Sequence, residues 1–132
     1  LLAWLLGETA GESIRRVLDR APAIVTSELS VAECARSFVR AAAAGRIPEP
    51  DATARRVHLI RAAATWALVA VDAEVLTRAG LPFPTEPVRT LDAIHLATAL
   101  QARAALPDLA LLSLDRRIRT CGEQLGFQVL PA

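Results

Sequence analysis

Three carboxylates in this chain sit where a sheet would hand over to its helices: Glu33, Asp92 and Asp115. Glu33 lies on the helix expected after the apolar run Ala23-Ile-Val-Thr26. Asp92 falls in the first turn of a helix expected over 91–105, and Asp115 follows directly on Leu109-Ala-Leu-Leu-Ser113. In open parallel sheets, functional groups collect at the carboxyl ends of the strands. Three anions gathered there repel one another unless a cation joins them. Oxygen donors without imidazole or thiolate suit Mg2+ or Mn2+ rather than zinc. The chemistry such a set would serve is metal-assisted phosphodiester hydrolysis, in which the ion activates water and neutralises charge on the phosphate.

Taken singly, each acid has a plainer explanation. Ser30-Val-Ala-Glu33 fits a capping box, Asp115 fits an N-cap for a helix over 116–125, and Asp92 suits the positive end of a helix capped by Thr90. His95, one turn beyond Asp92, reads as a hydrogen-bonded core histidine. Asp72 reads as the N-cap of a short helix through Ala79, and Arg89 as either a contact for phosphate or one half of a surface salt bridge.

The elements that must position these residues alternate. Glu12 to Arg20 has the apolar spacing of a short helix, ended by Pro22. After the run 23–26, a helix capped by Ser27 or Ser30 extends to about Ala44, with Val31, Cys34, Ala35, Phe38 and Val39 inward. Gly45 closes it, and Pro48 and Pro50 form the turn. Asp51 to Trp66 follows as a helix with Val57, Ile60, Ala64 and Leu59 facing the core. Ala67 to Val71 is a strand, and the proline-rich stretch 81–87 leads into the helix that carries Asp92. That helix is apolar or small nearly all round, as a helix buried between other elements is. The strand 109–113, a helix over 116–125 and a closing strand over 127–130 complete the chain. Strands alternating with helices imply a parallel sheet covered on both faces.

Composition bounds the rest. With 132 residues and 53% hydrophobic content, the chain is long enough for one domain with a real core. All 15 basic residues are arginine, a choice suited to forked contacts with phosphate or carboxylate, though codon bias produces the same pattern. A net charge of +1 says nothing about nucleic acid. Cys34 and Cys121 are isolated, which argues against a zinc site and for free thiols in a reducing compartment. The apolar opening, Leu1 to Leu6, is too short to span a bilayer and lacks the features of a signal peptide, so a soluble cytoplasmic protein without a membrane partner is expected. Trp4 among leucines suits the core, a homodimer contact or a surface covered by a partner segment.

Ile24-Val-Thr-Ser-Glu-Leu-Ser-Val-Ala-Glu33, Leu91-Asp-Ala-Ile-His-Leu-Ala-Thr-Ala99 and Leu111-Leu-Ser-Leu-Asp-Arg-Arg117, followed by Gly126-Phe-Gln-Val, resemble the PIN domain, specifically the VapC-type toxins of bacterial toxin-antitoxin pairs. The resemblance covers essentially the whole chain, in order and at family spacing. It implies a single three-layer α/β/α domain over 1–132. It also implies that Glu33, Asp92 and Asp115 match the family's second, third and fourth acidic residues, which bind a divalent ion and direct RNA cleavage. Mg2+ or Mn2+ as cofactor, RNA as substrate, and a cognate antitoxin as partner follow from the same resemblance. The family's first strand, with its Asp-x-Ser type motif, has no counterpart in these residues, and Leu1 to Glu8 looks like what comes just after it. Either the chain continues upstream of Leu1 or it is a catalytically impaired PIN-like module that pairs with an antitoxin or with itself.

Overall fold

The computed structural model describes residues 11–132, so the expectations for Leu1–Leu6 and Trp4 lie outside the described residues. The elements run α1 (Gly11–Arg20), β1 (Val25–Ser27), α2 (Glu28–Ala43), α3 (Glu49–Ala63), β2 (Ala67–Val69), α4 (Ala73–Ala79), α5 (Thr90–Ala105), β3 (Leu111–Leu112), α6 (Arg116–Gln124) and β4 (Val129–Leu130). This is the alternating α/β order expected. The chain forms two compact units that divide between Leu68 and Val69. Among the described residues the strands make two pairs, β1 with β2 and β3 with β4, rather than the one sheet the alternation predicts. No helix among them is long and apolar enough to cross a membrane.

In the first unit, α2 starts at Ser27, whose buried hydroxyl accepts the Ser30 amide at 3.1 Å. With Ser27 as the cap, Ser30 is already helical, and the capping-box explanation of Glu33 falls. Glu33 lies inside the helix, beyond its first turn. At the other end Gly45 adopts φ +67°, and the amides of Gly45 and Arg46 donate to Ala42 O and Ala41 O, each at 2.9 Å. This pair of bonds satisfies carbonyls that the helix leaves over. Pro48 is the N-cap of α3, so Pro50 belongs to the first turn of that helix and not to the turn before it. A residue without an amide costs nothing where the helix offers that amide no acceptor.

Helices α2 and α3 pack around Cys34, Phe38, Ala52 and Leu59, with Val31, Ala35, Ala42, Ile47 and Trp66 against them. The inward face of α3 therefore differs from the expected one. Ala52, Leu59 and Ala63 are buried, whereas Val57 and Ile60 are 42% and 65% exposed and Ala64 is exposed. Two apolar stripes compete on this helix. The stripe with alanines on either side of Leu59 allows the closer approach to Phe38, and hydrophobicity alone does not separate them.

In the second unit, Asp72 caps α4 by accepting the Val75 amide on Oδ1 at 2.9 Å, and Gln101 of α5 donates to Oδ2 at 3.3 Å. The Val75 amide, and after it Gln101, hold the Asp72 carboxyl below its ordinary range. The loop before α5 is braced by Glu86, which accepts the Phe83 amide at 2.9 Å and the Val88 amide at 2.7 Å. It delivers Arg89 in extended geometry as the N-cap of α5, with no side-chain cap. Thr90 is thus the first helical residue and not the cap. Phe83, Ala93, Leu96 and Cys121 form the core here, joined by Leu111, Ile118 and Leu125. β3 and β4 pair in parallel, Leu111 beside Val129 and Leu112 beside Leu130, with α6 as the crossover that a parallel pair requires. Gly122 of α6 rests directly on the Leu111 side chain, which leaves no room for a Cβ.

Two outcomes follow. A Cβ at Gly45 meets nothing within 4 Å, so Gly45→Ala should cost only the left-handed backbone term, about 1 kcal/mol, read from the urea midpoint, with Gly45→Asn costing less. An unchanged midpoint for the alanine variant contradicts the closure described. The Phe83 amide first, and the Val88 amide second, hold the Glu86 carboxyl below its ordinary range. A lowered folded value means that the brace is fully formed above the ordinary glutamate range and is lost as pH falls through the lower, folded-state value. The amide shifts of Phe83 and Val88 should therefore titrate together, with a midpoint below the ordinary glutamate range, and the titration should vanish in Glu86→Gln.

Candidate active site

Asp115 is placed by the strand before it and the helix after it. β3 carries the chain to Ser113, whose amide donates to Leu130 O at 3.1 Å. The Asp115 amide donates to Ser113 Oγ at 3.1 Å. Its Oδ1 accepts the amides of Arg117 at 2.8 Å and Ile118 at 3.2 Å, so Asp115 is the N-cap of α6, as the plainer explanation expects. That role occupies one oxygen. Oδ2 takes part in none of these bonds, and the residue is exposed.

Asp92 stands in the first turn of α5, where the helix-end amides favour an anion. Its neighbours Ala93 and Leu96 are locked into the core, which fixes the backbone from behind. Asp92 itself is half-buried, and no hydrogen bond or ion pair joins its carboxylate to another described residue. A half-buried carboxylate whose two oxygens are uncommitted is costly unless something else balances it. Arg89, one turn earlier, is exposed and makes no ion pair with a described residue. His95 is half-buried and has an interaction partner.

Glu33 belongs to the first unit, half-buried on α2 and engaged with a neighbour. Burial pushes the thiol of adjacent Cys34 up, and the Glu33 charge adds to the shift. That thiol is therefore poorly suited to metal or nucleophilic chemistry. Asp92 and Asp115 share the second unit. Among the described residues, no group of three or more Asp, Glu, His or Cys gathers to hold a metal ion. The donors of the second unit nonetheless fit a hard cation in kind. Mg2+ keeps several waters and takes only one or two carboxylates besides substrate phosphates. Asp92 offers both oxygens and Asp115 its Oδ2.

Sequence reasoning missed the work done by three arginines of this unit. Arg78 stacks on Phe83 at 4.2 Å and Arg103 on Phe127 at 4.0 Å, with Arg103 also donating to Leu125 O at 2.9 Å. Arg119 donates to Ser113 O, Leu130 O and Pro131 O at 2.9, 3.0 and 2.9 Å. Several of these partners lie far along the chain, and all are carbonyls or rings, so no charge pattern in the sequence announces them.

The family profile of the PIN domain matches residues 1–123. Ribonuclease VapC46 of Mycobacterium tuberculosis is 36% identical over 123 residues, covering 93% of this chain and 85% of that protein. Ribonuclease VapC35 of the same organism is 30% identical over 106 residues, 80% of this chain and 70% of that protein. A match that spans both compact units and nearly the whole described sequence leaves one assignment: this chain belongs to the PIN domain family, among its VapC members.

Proposed function

We propose that this chain is a divalent-ion-dependent endoribonuclease, the toxin of a type II toxin-antitoxin pair, and that its two units are parts of one PIN domain. The observation that carries the reading is Asp92: a half-buried carboxylate, uncommitted among the described residues, in a chain whose relatives are named ribonucleases. In this reading Asp92 and Asp115 hold Mg2+ or Mn2+, Asp115 through the oxygen that its capping role leaves over. When bound, the ion supplies polarisation of a water and neutralisation of phosphate charge. Glu33 orients the attacking water, and Arg89 contacts a phosphate of the RNA. Hydrolysis adds that water to phosphorus and breaks one P–O bond, and the departing oxygen takes up a proton. The cognate antitoxin blocks the acidic site. A homodimer and a cytoplasmic location belong to the same reading.

One observation favours a second reading, a PIN-like binding module without catalysis: the described residues gather no set of three acids. Incubating the protein with total RNA and Mg2+ or Mn2+ and mapping cleavage ends separates the two, since the module leaves the RNA intact under both ions.

Asp92→Asn and Asp115→Asn are expected to abolish ion-dependent cleavage while leaving the urea midpoint within about 1 kcal/mol, because asparagine caps a helix as well as aspartate and Asp92 contributes only a helix-end charge. Asp115→Ala should lose the cap as well, about 1 kcal/mol more. Glu33→Gln should cut the rate ~10 to 100-fold without abolishing it, the usual scale for a group that acts on the ion indirectly. Unfolding of the Asp92→Asn protein together with ion-independent behaviour of the parent would reduce Asp92 to a helix-end charge. Arg89→Ala should weaken binding of single-stranded RNA and lower the slope of log affinity against log salt by about 0.7, as expected for one lost phosphate contact. An unchanged slope removes Arg89 from the RNA interface.

A further inference from the structure

The turn that carries Asp115 has no apolar anchor. Leu114, between Ser113 and Asp115, is 44% exposed, so burial does not hold the segment in place. Polar bonds must. Within the turn there is the Asp115 amide on Ser113 Oγ, and behind it the Ser113 amide on Leu130 O. Asp115 is tied forward to α6 by its capping bonds to the Arg117 and Ile118 amides, and the bonds that tie the turn back to the strands come from one further side chain. Arg119, part-buried on the second turn of α6, sends Nη1 to Ser113 O and Leu130 O and Nη2 to Pro131 O. Its guanidinium therefore pins the carboxyl end of β3, the residue that receives the Asp115 amide, to the end of β4. Its own amide donates to Asp115 O at 2.9 Å, so the same residue holds Asp115 from both sides of the turn. Arg116 and Arg117 are exposed, and their side chains make no bond to a described residue.

We propose that Arg119 is a positioning residue for Asp115, fixing through its three carbonyl contacts where the capping carboxylate presents its remaining oxygen. The proposal rests on the nuclease reading and adds to it a residue that touches neither ion nor RNA. Charge-assisted bonds from a rigid fork are suited to this task, because one planar group sets the spacing of two strand ends at once. Lysine supplies the charge without the fork, and glutamine supplies neither the charge nor the reach. With the clamp gone, Asp115 still caps α6, since its Oδ1 partners are amides of that helix, but the turn before it is no longer tied to the strands.

The test is Mn2+ binding by the full chain, followed by electron paramagnetic resonance, in the parent protein, Arg119→Gln, Arg119→Lys and Asp115→Asn, with far-ultraviolet circular dichroism as the check on folding. The dissociation constant for Mn2+ should rise ~10 to 100-fold in Arg119→Gln and by less in Arg119→Lys, and binding should be lost in Asp115→Asn. In the metal-free protein, the amide of Asp115 should exchange faster in Arg119→Gln than in the parent. A folded Arg119→Gln protein with the parent's Mn2+ affinity overturns the proposal, even if its melting temperature has dropped, since that is what a merely structural arginine would give. If Arg119→Gln does not fold, Arg119→Lys decides by the same criterion. A parent protein that neither binds Mn2+ nor cleaves RNA overturns the nuclease reading and this proposal with it. A parent that does both while the Arg119 variants match it overturns this proposal alone.

Discussion

Every helix begins with backbone amides that nothing inside it can accept, and much of this molecule is arranged around that constraint. Ser27 meets it for α2, Asp72 for α4 and Asp115 for α6, each with a side-chain oxygen on an amide two or three residues ahead. Of the five helices whose caps are described, two go without. α3 starts at a proline, with another in its first turn that removes one of the orphan donors altogether. α5 starts at Arg89 with no side-chain cap, and there the acidic residue of the first turn, Asp92, is uncommitted among the described residues. The contrast between Asp72 and Asp92 is the informative one. Both stand near helix starts in the same unit, but Asp72 has both oxygens taken by protein donors, whereas among the described residues Asp92 has neither.

Asp115 lies between these cases. One oxygen serves the fold and the other does not, so structural and chemical roles are not rivals at this position. A carboxylate whose orientation is set by two helix amides presents its second oxygen in a defined direction without any ordering cost at the moment of binding. The same logic explains why the segment around it is tied by hydrogen bonds instead of by burial. A turn that exposes a carboxylate, as this one exposes Asp115, is not also buried under apolar neighbours.

The exclusive use of arginine acquires a physical meaning in the second unit. Arg78 and Arg103 lie on aromatic faces, and Arg119 spans three carbonyls. Planar, weakly hydrated guanidinium groups tolerate such half-buried positions, whereas an ammonium group would not supply the same geometry. With few aromatics in the chain, these arginines also provide much of the flat packing surface around Phe83 and Phe127. Arginine abundance is thus partly a matter of packing, and the residues left exposed, Arg89, Arg116 and Arg117, are those still free to meet an anion.

By itself, the sequence determined the order of the elements, the caps at Asp72 and Asp115, the glycine closure at Gly45 and the PIN family, because each of these is written in residues close together along the chain; between Ser27 and Ser30 as the cap of α2 only the structure decided. Short-range signals also carried Asp92 to the first turn of its helix, although they misplaced the cap by one residue, since the brace from Glu86 to Phe83 and Val88 sets where α5 begins. The buried face of α3 was decided by tertiary packing. Val57 and Ile60 are as hydrophobic as the residues that were buried, but it is the stripe of Ala52 and Leu59 that packs with Phe38, and Ala63 on the same helix is buried as well. The commitments of the carboxylates were decided the same way. Whether an acid near a helix start is satisfied depends on donors brought from elsewhere, such as Gln101 to Asp72, and no local pattern distinguishes the satisfied acid from the one left over. The clamp at Arg119 is the extreme case, for its acceptors on β4 become neighbours only when two strands pair in parallel across α6.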